Sequence, residues 1–141
     1  MNGEPRWLTR LVLDAIHAEL LLEHGGAQGV RAGGDDLIES ALSRPRNRHA
    51  YEPESDLCTL AAAYLFGLVK NHGYVDGNKR VGFAAAATFL LLNGLQLTAS
   101  EMDAYDVVIR LAEGGLGEPE VAGWFRENTD WEHLAGNEHG G

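Results

Sequence analysis

The sequence predicts an all-α, single-domain protein, a bundle of about six helices, and three observations carry that expectation. Apolar residues recur at i, i+3 and i+4 spacing along nearly the whole chain. Paired glycines and isolated prolines fall between those stretches, where helices end and begin. The run Val81 to Leu92 is apolar on most sides, a pattern that belongs to a helix in the middle of a bundle. At 141 residues the chain is long enough to bury a core without disulfide or metal staples.

Each element follows from local signals. Thr9 is placed to cap a first helix, whose positions Leu8, Leu11, Val12, Ala15, Ile16 and Leu20 follow the helical rule and which Gly25-Gly26 stops. After Gly33-Gly34, Asp35 or Asp36 can cap a short second helix through Leu42, bounded by Pro45. The stretch Arg46 to Glu54, with Pro45 and Pro53 at its ends, predicts a short extended flap. Ser55 or Asp56 caps a third helix with the stripe Leu57, Leu60, Ala61, Tyr64, Leu65 and Leu68, which ends near Lys70-Asn71. A fourth runs from about Asn78 to Asn93. Ser100 with Asp103 resembles a capping box for a fifth, closed by Gly114-Gly115, and Pro119 suits the first turn of a sixth over Glu120 to Asn128. One domain over 1–141 is expected, with its core in residues 7–128 and a frayed tail over 129–141.

Composition narrows the function. The lone Cys58 excludes an intramolecular disulfide and fits a reducing compartment. The N-terminus is polar, and the apolar run ending at Leu92 is well short of the roughly 20 residues that span a bilayer. A cytoplasmic protein without a membrane anchor is expected. The net charge of −10 argues against general nucleic-acid binding, so no direct DNA contact is expected. Between residues 44 and 80, however, Arg44, Arg46, Arg48, Lys70, Lys79 and Arg80 face only Glu52, Glu54, Asp56 and Asp76. A locally cationic patch on an acidic body suits a small polyanion such as a nucleotide.

Chemistry concentrates in His72-Gly73-Tyr74-Val75-Asp76-Gly77-Asn78-Lys79-Arg80. An imidazole at a helix–loop junction can accept a proton near neutral pH. The Asp76 carboxylate suits Mg²⁺ that also bridges phosphate oxygens. Gly77 permits a positive φ or close approach of a ligand to the backbone. Asn78 offers an amide donor at the helix start, and Lys79 and Arg80 add a point charge and a planar fork for phosphate. These groups together suit phosphoryl or nucleotidyl transfer, which is largely positioning and electrostatics. Spacing alone leaves an ordinary Asp-Gly turn beside a solvated Lys-Arg face equally open. The segment is not a P-loop, because its glycine spacing differs and no Ser or Thr follows the lysine.

The nine-residue string closely resembles the active-site motif of the Fic/Doc superfamily, H-x-F-x-(D/E)-(G/A)-N-(G/K)-R, and Lys79 is similar to the death-on-curing branch of toxin–antitoxin systems. The stretches Leu37 to Pro45 and Phe89 to Gly94 support the likeness, which covers roughly residues 7 to 128. It implies a Fic/Doc-like helical bundle with a flap between the second and third helices. It also implies that His72 is the catalytic base, that Asp76 holds Mg²⁺ on nucleotide phosphates, and that Gly77, Asn78, Lys79 and Arg80 grip those phosphates. In the flap, Arg46, Arg48 and His49 are implied to hold the target chain. Family members with lysine at this position transfer the γ-phosphoryl group of ATP to a threonine of a translation factor, elongation factor Tu. Members with glycine transfer AMP, which remains the alternative here, together with a catalytically silent binding module. A cognate antitoxin is implied to lay a helical segment in the substrate groove. Tyr74 replaces the motif's phenylalanine, so its hydroxyl must find solvent or a partner.

Overall fold

The computed structural model describes residues 3–131. Six helices form the domain: α1 (Arg10–His24), α2 (Gly34–Tyr51), α3 (Leu57–Asn71), α4 (Asn78–Leu92), α5 (Glu101–Ala112) and α6 (Glu118–Glu127). Two short strands, β1 (Leu95–Leu97) and β2 (Thr129–Trp131), pair antiparallel with Leu95 opposite Trp131. The all-α class and the helix number agree with the sequence. Among the described residues, no helix is long and apolar enough to cross a membrane.

Most helix starts obey local capping chemistry. Thr9 Oγ1 accepts from Val12 N, Asp56 Oδ1 from Thr59 N and Ser100 Oγ from Asp103 N. Each satisfies one N–H that the helix itself leaves unpaired. At α6, Glu120 reaches back to the Gly117 amide at 2.9 Å. The expected cap at Asp35 or Asp36 is not used: α2 begins two to three residues earlier, from a left-handed Gly33, and both aspartates lie in its first turn, where they face the positive end of its dipole.

The centre of the bundle is α3, not α4. Ala61, Ala62, Ala63 and Gly67 keep α3 thin, so α2, α4 and α6 all pack closely on it, and nearly every residue from Leu60 to Val69 is buried. The more uniformly apolar α4 leaves Leu91 and Leu92 nearly half exposed at its end. The inward face of α1 is only in part the expected one, since Leu8 is buried and Ile16 and Leu20 pack against the core. Leu13 and His17 are buried, whereas Leu11 is 80% exposed and Ala15 points outward. Apolar residues occur on more than one side of α1, so periodicity alone admits two faces, and contact with the rest of the bundle selects one.

The expected extended flap over Arg46 to Glu54 does not exist. Helix α2 continues through Pro45 to Tyr51, and only the short link from Glu52 to Asp56 is irregular. An interior proline costs one helical hydrogen bond and up to about 3 kcal/mol. Tertiary contacts along the second half of α2 offset it. Pro45 is buried, the Arg44 guanidinium lies 4.9 Å from the Phe66 ring centroid, and His49 meets the Trp7 ring edge-on at 5.6 Å. The expected frayed tail also begins too early, because Thr129 to Trp131 form β2; residues 132–141 lie outside the described residues.

Candidate active site

The motif forms the turn between α3 and α4. Helix α3 ends at Asn71, and His72 caps it in the left-handed region, with φ 53° and ψ 53°. It is the single non-glycine residue with positive φ among the described residues. For an L-residue that conformation costs about 1–2 kcal/mol, so the surroundings must impose it. The chain returns into α4 through Gly77, whose φ of 83° is one that glycine tolerates without penalty. No side chain caps the N-terminus of α4, which leaves its first-turn N–H groups and its positive dipole end facing the turn.

The loop is held from inside by Asn78. Its side chain is buried, its Oδ1 accepts from Tyr74 N at 3.0 Å and its Nδ2 donates to Tyr74 O at 2.9 Å. This corrects the phosphate-gripping role expected for Asn78: the amide is committed to closing the loop. Tyr74 is itself buried, stacked on His17 with ring centroids 3.8 Å apart, and its hydroxyl donates to Asp14 Oδ1 at 2.6 Å. The partner that the tyrosine hydroxyl requires is therefore a carboxylate on α1. Burial, and then the neighbouring Asp14, push the Tyr74 phenol well above its ordinary pKa and keep it a donor. The buried His17 donates from Nε2 to the carbonyl of Asp76 at 2.9 Å, so α1 grips the loop at two points.

The link between α1 and α2 holds the other side. Val30 forms an antiparallel bridge with Tyr74, and Val75 N donates to Gly29 O at 2.9 Å. Extended pairing against the motif is thus made by the link between α1 and α2. Ala27 N donates to Asp76 Oδ2 at 3.2 Å, while Asp76 Oδ1 accepts from Gly77 N at 2.9 Å. Gly26 has to be glycine here: its φ is +124° and an added Cβ would lie 2.9 Å from Asp76 Oδ2.

His72, Asp76, Lys79 and Arg80 are exposed around this turn, with Gly77 half-buried between them. None of the four side chains forms an ion pair with another described residue. An imidazole, a carboxylate and two cations are therefore exposed along one turn that leads into an uncapped helix start. No group of three metal-ligating side chains occurs among the described residues. A divalent ion at Asp76 would therefore take most of its ligands from other oxygens, such as those of phosphate and water. That donor set fits Mg²⁺, which is commonly bound by one or two carboxylates plus substrate phosphates and water.

Arg46, Arg48 and His49 are not brought to this surface. The N-terminus of α2 abuts the motif, since a Cβ on Gly34 would stand 2.2 Å from Gly73 O. Those three residues lie 12 to 15 positions further along the helix, roughly 18–22 Å away at 1.5 Å per residue. There Arg48 pairs with Glu52 at 3.0 Å and reaches Glu118 at 3.7 Å, Arg44 pairs with Glu118 at 2.6 Å, and Arg46 lies 5.8 Å from the Trp7 ring centroid. The arginines of residues 44–48 thus join α2 to α6 and to the N-terminal segment, and the local charge excess is largely spent inside the domain.

Sequence reasoning missed Asp14, His17 and Arg31 as partners of the loop. None of them lies near the motif in the chain. The one available signal was the tyrosine at position 74, whose hydroxyl demands a polar partner on whichever helix covers it.

A family model described as Fic/DOC family matches residues 7–90. Toxin Doc of Mycolicibacterium smegmatis is 45% identical over 76 residues, which cover 53% of this chain and 57% of that protein. Protein kinase doc of Escherichia phage P1 is 32% identical over 114 residues, covering 81% of this chain and 88% of that protein. The match therefore spans little more than half the length of the first relative and most of the second.

Proposed function

This chain belongs to the Fic/DOC family, in its death-on-curing toxin branch, and from that premise we propose that it transfers the γ-phosphoryl group of ATP to a hydroxyl, a threonine in the first instance, of a translation factor such as elongation factor Tu. The observation that supports this reading best is that His72, Asp76, Lys79 and Arg80 are all exposed along the turn that leads into the uncapped start of α4. The name of the phage relative, a protein kinase, points the same way.

In this mechanism His72 accepts the proton of the target hydroxyl as its oxygen attacks the γ-phosphorus, and the bond from that phosphorus to the β–γ bridging oxygen breaks so that ADP leaves. Lys79 and Arg80 neutralise charge on the phosphoryl oxygens, assisted by first-turn amides of α4. Asp76 would hold Mg²⁺, which would supply charge neutralisation on the nucleotide phosphates. Lys79 occupies space and places charge where a glycine would leave room for phosphates in the opposite orientation, which favours departure of the γ rather than the α group. As a toxin of this branch the protein has a cognate antitoxin, and its inhibitory element is a helical segment laid in the groove beside the motif.

Incubating the purified protein with cell lysate and ATP labelled at the α or the γ phosphate tests the reaction. Label should reach one dominant protein of translation-factor size from the γ position alone. Transfer only from the α position would make the protein an AMP transferase. Absence of both, with growth arrest that survives His72→Ala, would leave a binding module.

A further inference from the structure

Arg31 donates to three consecutive carbonyls, that of Asn71 and those of the motif residues His72 and Gly73. Its Nη2 donates to Asn71 O at 3.2 Å, its Nε to His72 O, and its backbone N to Gly73 O at 3.1 Å. The first two acceptors lie at the C-terminal end of α3, where carbonyls lack helical partners and a cation is favoured. Arg31 is itself fixed on both sides. The preceding Val30 pairs with Tyr74, and Gly34 N donates to Arg31 O at 2.7 Å in a turn that opens α2.

We propose that Arg31 is the positioning residue for His72. A left-handed conformation at a non-glycine residue needs an external cause. The three bonds from Arg31 bracket that residue: one holds the carbonyl before it, one its own, one the carbonyl after it. With all three directions set, φ and ψ of His72 are determined, and so is the bond along which its imidazole leaves the backbone. Were His72 to relax to an ordinary helical or extended conformation, that bond would swing relative to the start of α4, where Lys79 and Arg80 lie. A planar fork is required because two of the acceptors are successive carbonyls; a lysine ammonium offers charge but no fixed pair of donors. The proposal rests on His72 acting as the base, and it concerns a residue distant from it in the chain that makes no claim on the nucleotide itself.

The test compares the parent with Arg31→Ala, Arg31→Lys and Arg31→Gln. Carbon chemical shifts of His72 report its backbone conformation whether or not the protein turns over, and steady-state phosphoryl transfer reports kcat and the KM for ATP. In Arg31→Ala the His72 shifts should leave the left-handed range, and kcat should fall about 10- to 100-fold with KM for ATP within about twofold. Arg31→Lys should recover only a minor part of kcat. Unchanged His72 shifts in Arg31→Ala, a raised KM at unchanged kcat, or full recovery by lysine would each overturn the proposal. If the alanine variant does not fold, the same shifts in Arg31→Gln, which keeps one donor on a shorter stem, decide it. A parent protein without transfer activity would remove the proposed reaction while the chemical shifts still decide what Arg31 does.

Discussion

The hydroxyl of Tyr74 donates to Asp14 at 2.6 Å, tying the motif turn to a helix sixty residues earlier in the chain. Asp14 is itself held by Arg10 at 3.0 Å, and Arg10 reaches Asp35 at 2.8 Å and Glu39 at 3.1 Å on α2. One arginine thus carries the position of Tyr74 across to the second helix, and the turn between α3 and α4 is registered against both α1 and α2. The exposed site chemistry rests on this inner network.

Tyr74→Phe removes the hydroxyl but keeps the ring on His17. Asp14 retains Arg10, so no charge is stranded, and the loss should be about 1 kcal/mol in denaturant unfolding. Phosphoryl transfer should persist within a few-fold. A variant destabilised by several times that amount would mean that the Asp14 contact carries more of the loop than this geometry implies.

Gly34→Ala strikes backbone. Its Cβ would lie 2.2 Å from Gly73 O and 2.4 Å from Val30 Cγ1, and neither the carbonyl nor the paired Val30 is free to move aside. A loss of about 1–3 kcal/mol is expected, with reduced transfer because Gly73 follows His72, the proposed base. Gly25→Ala and Gly123→Ala, where a Cβ meets nothing within 4 Å, serve as controls; the first also carries the strain of φ +78° and the second does not.

His72→Gly should separate activity from stability. Loss of the base should lower transfer by about 10²–10⁴-fold. Relief of the left-handed strain should leave the variant as stable as the parent or up to about 1 kcal/mol more stable. His72→Ala should be equally inactive without that gain. A glycine variant clearly less stable than alanine would contradict the backbone conformation at this residue.

Asp56 caps α3 and pairs with Arg126 of α6 at 2.7 Å. Burial opposes its charge, yet the bonds from Arg126 and Thr59 outweigh burial and bring the carboxyl down to about 2. A depressed folded pKa stabilises at pH above the unfolded value near 4, and the benefit is lost as pH falls toward 2. Asp56→Asn keeps a good cap but loses the ion pair, so it should be less stable than the parent at neutral pH by under about 1 kcal/mol, because the pair is half exposed. The difference should vanish in thermal melts as pH falls from 4 to 2; a difference independent of pH would exclude the ion pair as its source.

Features whose cause lies within a few residues were legible in the sequence. Thr9, Asp56 and Ser100 cap helices by reaching an amide three residues on, and that relation needs no tertiary knowledge. The exposed site residues His72, Asp76, Lys79 and Arg80 occupy one contiguous turn, so their neighbourhood follows from their spacing. Pro45 misled because its local cost is real, and only contacts of α2 with Trp7, Phe66 and Glu118 outweigh it. Asn78 misled for a related reason: a polar residue at a helix start reads as a ligand donor until burial shows that its own loop uses it.

By itself the sequence determined the helical class, most helix starts, the family and the turn that holds the candidate site, since each is written in periodicity or in a short contiguous pattern. Only the tertiary structure decided which face of α1 turns inward, that α3 rather than α4 is central, and that residues 46–49 stand far from the site. It alone also brought Asp14, His17 and Arg31 to the motif. Those outcomes depend on which surfaces meet across long chain separations, and burial there can reverse a local preference of a few kcal/mol.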